Sequence, residues 1–172
     1  MATTRLDIRY GRTEKHQPKN FKRTLKKYAI RECAQSEWDN LSRYHYLTGH
    51  MKTTAKTYGL YNPHNRLIGI CATIIMPRTN STAMTRIHRI VIHPDYQGIG
   101  LGKQFVTIIG KLESKKHDVF IQTSNPAMKH ALLHYSDWVL SRNGRTSNTQ
   151  SNRMLTTRRI GKTATFVMRK GE

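Results

Sequence analysis

Between Arg89 and Lys103 the sequence reads RIVIHPDYQGIGLGK, an apolar run that stops at a proline and crosses three glycines spaced two apart. Beyond it, Phe105, Ile108, Ile109 and Leu112 fall at the i, i+3, i+4, i+7 spacing of one apolar helical face. The stretch therefore predicts a buried strand, a glycine-rich turn and an amphipathic helix, with the glycines in the helix's first turn. The first four N–H groups of a helix lack partners inside it, and the aligned peptide dipoles place about half a positive charge there. An anion is the natural partner of such an end. Gly98, Gly100 and Gly102 carry no Cβ to hold a phosphate away from the backbone, and Lys103 adds a cation at the rim.

The spacing excludes two familiar phosphate loops. A Walker loop requires G-x-x-x-x-G-K-[ST], and Lys103 stands where its second glycine would be, counted from Gly98. A dinucleotide fingerprint requires G-x-G-x-x-G, whereas these glycines alternate as G-x-G-x-G. The stretch resembles instead the acyl-CoA signature [RQ]-x-x-G-x-[GA] of the GCN5-related N-acetyltransferase (GNAT) superfamily, with Gln97, Gly100 and Gly102 in its fixed positions. The preceding IVIHPDY is similar to that superfamily's strand and lead-in.

That resemblance implies an α/β (α+β) fold: a mixed, mostly antiparallel central sheet flanked by helices, with two parallel strands splayed around the cofactor. It implies acetyl-CoA, or another acyl-CoA, as the acyl donor. The amides of Gln97, Gly98, Ile99, Gly100, Leu101, Gly102 and Lys103 would hold the pyrophosphate. Backbone groups of Ile90, Val91 and Ile92 would face the thioester, and Asn125 would contact the pantetheine arm.

Charge bears on the acceptor. Thirty Lys and Arg against ten Asp and Glu give a formal charge of +20, a field that favours polyanions, of which nucleic acid is the commonest in a cell. The same charge is also compatible with mere solubility or with attraction of an anionic cofactor. At 172 residues one ordinary core is expected. Residues 1–23, with seven cations and two acids, read as a basic arm, and 24–172 as one acyltransferase domain with a basic C-terminal segment. Cys33 and Cys71 show neither CxxC nor Cys/His metal spacing, so no metal site is expected and a reducing compartment is. No apolar run reaches membrane-spanning length and the start lacks a signal peptide, which reads as a soluble cytoplasmic protein with no membrane partner, a monomer or homodimer.

In chain order, residues 25–33 predict a first strand. Ser36 followed by Asp39 suggests a capped helix through Trp38 and Leu41 into the cluster Tyr44, His45, Tyr46. Residues 53–61 and 66–76 predict a hairpin turning at Asn62-Pro63-His64-Asn65, its nearly all-apolar second arm at the sheet's centre. A polar loop is expected from Pro77 to Thr85. A strand over 118–124, a helix from Asn125 towards Trp138, a polar loop over 144–152 and a final strand over 163–169 complete the reading. The strand–helix–strand order around residue 105 predicts a parallel pairing through a right-handed crossover.

The catalytic groups are harder to assign. Many members of the superfamily place a glutamate where Arg86 stands here. Strand alternation sets His88 on the same face as Arg86, so His88 is the candidate base and a structural histidine the other reading. Arg86 would contact an anionic acceptor. Tyr135 is the candidate acid by proximity, although it does not match the register of the superfamily's usual tyrosine. By resemblance Tyr44, His45 and Tyr46 flank the acceptor, against a reading as interfacial core. They are also loosely similar to GNAT-like phage DNA-modification proteins.

The leading expectation is acetyl transfer to an amine on a nucleic-acid-associated acceptor, a modified DNA base or an aminoacyl-tRNA. A protein or small-molecule amine is the alternative. A non-catalytic basic nucleic-acid-binding protein with this fold is the second.

Overall fold

In a computed structural model, residues 28–45, 51–78, 81–143 and 163–170 are described. The basic arm, Tyr46 and the 144–162 segment lie outside them. Seven strands form one sheet in the order β1-β2-β3-β4-β5-β7-β6: β1 (Ala29–Glu32), β2 (Lys56–Tyr61), β3 (Leu67–Arg78), β4 (Ser81–Ile92), β5 (Val119–Thr123), β6 (Val139–Asn143) and β7 (Ala164–Met168). The helices are α1 (Trp38–Leu41), α2 (Leu101–Glu113) and α3 (Pro126–Leu133). By packing the chain divides into two compact units, one of residues up to 73 with 88–105, the other of 74–87 with those from 106 on.

The first unit rests on the hairpin the sequence predicts. β2 runs antiparallel to both β1 and β3, and Asn65 takes the left-handed conformation, φ 59°, that the turn requires. The side-chain oxygen of Asn62 accepts from the N–H groups of His64 and Arg66, closing the turn. Leu60, Ile68 and Ile70 are fully buried, and Trp38, Leu41, Ile70 and Val91 form one cluster with Tyr44, Met51 and Leu67 against it. The helix expected after Ser36 shrinks to α1 between 3₁₀ turns at Gln35–Glu37 and Ser42–Tyr44. Ser36 is not its cap. Position 34 is the N-cap of the first turn, and as an alanine it has no side-chain acceptor to offer.

The second unit is built on β5, β7, β6 and the first half of β4. β4 and β5 pair in parallel, as predicted, with Thr85, Arg86 and Ile87 opposite Val119, Phe120 and Ile121. Only those three positions are in register, although β4 continues to Ile92 and β5 to Thr123. β7 runs antiparallel to β5 and to β6. Within α2, Phe105, Ile108 and Ile109 are buried as the periodicity requires, Val106 is buried as well, and Leu112 is half-buried. Trp138 packs beside that helix, its indole N–H donating to Thr107 Oγ1 at 3.1 Å.

Three expectations change. β4, not β3, is the middle strand of seven. The polar loop over 77–85 is mostly strand, because the β-branched Thr82 and Thr85 suit a strand despite their polarity. The last helix ends at Leu133, and β6 follows Trp138 where no strand was expected, since Val139 and Leu140 are its only large apolar side chains.

Candidate functional site

At the end of β4 the backbone is turned by a short 3₁₀ segment, Pro94–Tyr96, with Pro94 in its opening position. Gln97 then reaches back, its side-chain Nε2 donating to the carbonyl of Ile92 at 2.7 Å. This bond closes the strand's last carbonyl and fixes where the turn begins. Gly98 and Gly100 follow with φ of 77° and 83°, a region in which any side chain is strained. Only Gly102 lies inside α2; the other two glycines precede it rather than sitting in its first turn.

The turn is open. A Cβ built on Gly98 meets nothing within 4 Å, and one on Gly100 meets only Gln104 Nε2 at 3.9 Å. Ile99 is 55% exposed. Among the described residues no backbone carbonyl accepts from the N–H groups of Gly98, Ile99, Gly100, Leu101 or Gly102; the ladder begins with Gln104 N–H on the Gly100 carbonyl. Successive N–H groups in such a turn, at a helix N-terminus, form an anion-binding concavity. The residues present thus fit a pyrophosphate, with half-buried Lys103 on the next turn of chain.

The same unit holds an aromatic group beside this turn. His93, between strand and turn, lies edge-on to Tyr44 with ring centroids 5.0 Å apart and near Tyr96 at 6.2 Å. Tyr96 Oη accepts from Asn62 Nδ2 at 3.0 Å, and His93 Nδ1 lies 3.5 Å from Asp95 Oδ2. Tyr44 is therefore brought to the approach of the turn, whereas His45 packs edge-on against Trp38 at 5.4 Å. His93, Tyr96 and Asn62 were not singled out from sequence; the HPDY lead-in held two of them, but only the fold brings the hairpin's Asn62 to Tyr96.

Of the strand residues, Val91 and Ile92 are buried, and Ile90 and His88 half-buried. In the second unit, Arg86 is half-buried with Nε enclosed, and it finds no hydrogen-bond acceptor among the described residues. Asn125 caps α3, its Oδ1 accepting from Met128 N–H at 3.0 Å, so that side chain already has a structural task. Tyr135 is half-buried just past α3, its N–H donating to the Leu132 carbonyl at 3.2 Å. Among the described residues no group of three or more His, Cys, Asp or Glu could hold a metal ion, and no helix is long and apolar enough to cross a membrane.

The sequence profile of the Acetyltransferase (GNAT) family matches residues 22–132, from before β1 through most of α3. The chain belongs to that family. No protein of curated function matches it. Among solved structures, a chimera of spermidine N-acetyltransferase SpeG from Vibrio cholerae and hSSAT superposes with a TM-score of 0.62 at 12% identity, over 84% of this chain and 96% of that one. The ribosomal-protein-S18-alanine N-acetyltransferase of Escherichia coli gives 0.62 at 11% identity, over 84% and 95%. The IAA acetyltransferase of Bacillus cereus gives 0.59 at 12% identity, over 82% and 98%. At such identities the GNAT fold is what is shared.

Proposed function

We propose that this GNAT acetyltransferase transfers the acetyl group of acetyl-CoA to an amine borne by a nucleic acid or a nucleic-acid-associated molecule. The observation that carries the donor half is the open turn, where five N–H groups without backbone acceptors follow a strand and precede a helix. Bound there, acetyl-CoA supplies an activated thioester carbonyl. The chain's part is to grip the diphosphate through the amides of 98–102, the expected Gln97 N–H being already spent on the Pro94 carbonyl at 3.0 Å, to take a proton from the acceptor amine and to supply one to the departing thiolate. His88 is assigned the first proton transfer and Tyr135 the second, with Arg86 facing the acceptor's negative charge.

The acceptor half rests on charge. The structural neighbours' names include a polyamine and an alanine of a ribosomal protein as acceptors. A +20 chain repels a polycation such as spermidine and attracts a polyanion. A protein amine is the second reading, favoured by the neighbour that modifies a ribosomal protein.

Two measurements test this. Acetyl-CoA at a hundredfold its dissociation constant adds about 2.7 kcal/mol, read as roughly 5–10 °C in Tm for a chain of this length. Gly100→Val removes that shift, because its Cβ enters the cradle and its φ is strained; an unchanged shift places the cofactor elsewhere. Thiol release from acetyl-CoA is then followed with DNA, tRNA and protein pools, and the products weighed by mass spectrometry. Acetylated nucleic acid or aminoacyl-tRNA is expected. Release with the protein pool alone overturns the acceptor, and no thermal shift at all leaves a non-catalytic binding protein.

A further inference from the structure

A second cationic feature lies in the second unit, at the start of β4. Arg78 at the end of β3, Lys116 and His117 before β5, and Lys170 after β7 line one concavity of about 240 Å³ together with Met84 and Asp118. These side chains come from separate segments, so the fold gathers them; a solvated run of lysines would come from one. The cavity is smaller than the roughly 300–1,000 Å³ that encloses a drug-sized ligand. Its size suits phosphate groups.

The charge in this cavity is only partly balanced from within, Asp118 being its single acid against three Lys and Arg side chains. Its one acid, Asp118, is already engaged: Oδ1 accepts from the Lys170 N–H at 2.6 Å and Oδ2 from Arg169 Nη1 at 2.8 Å. Arg78, Lys116 and Lys170 make no ion pair among the described residues, and Arg78 Nη1 rests on Met84 Sδ at 3.3 Å. Three exposed cations held around one concavity repel one another unless an anion joins them.

We infer that this concavity binds the phosphodiester backbone of a nucleic acid, docking the polyanion while the acetyl group is delivered elsewhere on the chain. The inference rests on the proposed nucleic-acid acceptor. Phosphate contacts of this kind position a nucleic acid without reading its sequence. All three cations stand at the surface, where a continuous strand passes across them rather than ending in them.

The test is the binding of a short fluorescent DNA duplex and of tRNA to the full chain, by anisotropy across a salt series. Arg78→Ala/Lys116→Ala/Lys170→Ala removes three phosphate contacts and leaves the Lys170 N–H on Asp118 intact. The slope of log K against log salt then falls in magnitude by roughly 2–3, and affinity at 0.1 M salt by on the order of a hundredfold. Lys52→Ala/Arg66→Ala/Arg142→Ala removes the same charge from other exposed positions and keeps the wild-type slope to within about one contact. Equal losses in both triple variants overturn the pocket but leave the nucleic-acid reading standing. Wild-type protein that binds neither nucleic acid overturns both. Competition by inorganic phosphate at the pocket, without nucleic-acid binding, identifies a free-phosphate site and overturns the proposed occupant. Circular dichroism and Tm confirm folding, and Lys116→Gln alone, losing a slope of about one, keeps the inference testable if the triple variant unfolds.

Discussion

Asp118 illustrates how one side chain can hold two strands. It precedes β5, yet its carboxylate receives the Lys170 N–H and the Arg169 guanidinium from beyond the end of β7. The backbone bond from Lys170 is the largest cause holding this carboxyl below the usual carboxylate range, with Arg169 and Arg78 adding to it and burial opposing. A depressed carboxylate stabilises the fold above its unfolded pKa, and that stability is lost as pH falls through the folded value. Asp118→Asn should therefore cost about 1–2 kcal/mol in urea unfolding at pH 7, and the gap between variant and wild type should shrink below about pH 4. A gap that persists undiminished in acid would show that packing, not charge, is lost. At the same scale, His88→Gln should lower kcat on the order of a hundredfold or more while the acetyl-CoA thermal shift survives. Unchanged turnover would make His88 a structural residue.

Among the elements, α2 is the one whose sequence carried most. Its apolar spacing gave three of the buried positions, Phe105, Ile108 and Ile109, and the glycines ahead of it gave the turn, because both signals are local. Gly110 shows what was not local. A Cβ there would come within 2.8 Å of Trp138 Cζ2 and 3.0 Å of Met168 Cε. Met168 is flexible and can yield, but the indole is held at its other edge by Thr107. Helix propensity favours alanine over glycine by about 1 kcal/mol, and overpacking costs about 1–3. Gly110→Ala should thus be neutral to about 2 kcal/mol destabilising, and Gly110→Leu clearly destabilising, by chemical denaturation. A stabilised Gly110→Leu would mean that the helix and tryptophan separate readily. The missed strand β6 and the misplaced helix after Ser36 share a cause. Such short elements are fixed by partners distant in sequence, and their own four or five residues carry too little pattern to declare them.

For the molecule as a whole, the sequence made the family and its open glycine turn legible, since the end of a strand, a glycine pattern and a helix lie within twenty-five residues. Other groupings were far less so: Tyr44 meets His93, and Arg78 shares a concavity with Lys116 and Lys170, only through tertiary structure. Net charge, by contrast, is additive and survives without a fold, which is why it predicts a steep salt dependence of any nucleic-acid complex before any contact is known. The placing of β1, β2 and β3 has one more practical consequence. Cys33 donates its N–H to Thr57 on β2, and Cys71 sits on β3 opposite Tyr58, so a whole strand separates the two cysteines. Two interstrand steps amount to about 9–10 Å, beyond the roughly 7 Å that a disulfide tolerates. Cys71 is fully enclosed, whereas Cys33 is partly accessible, with a thiol pushed up in pKa chiefly by burial. The natural chain consequently offers a single alkylation site, best reached in mildly alkaline buffer, where one dye can be attached without engineering.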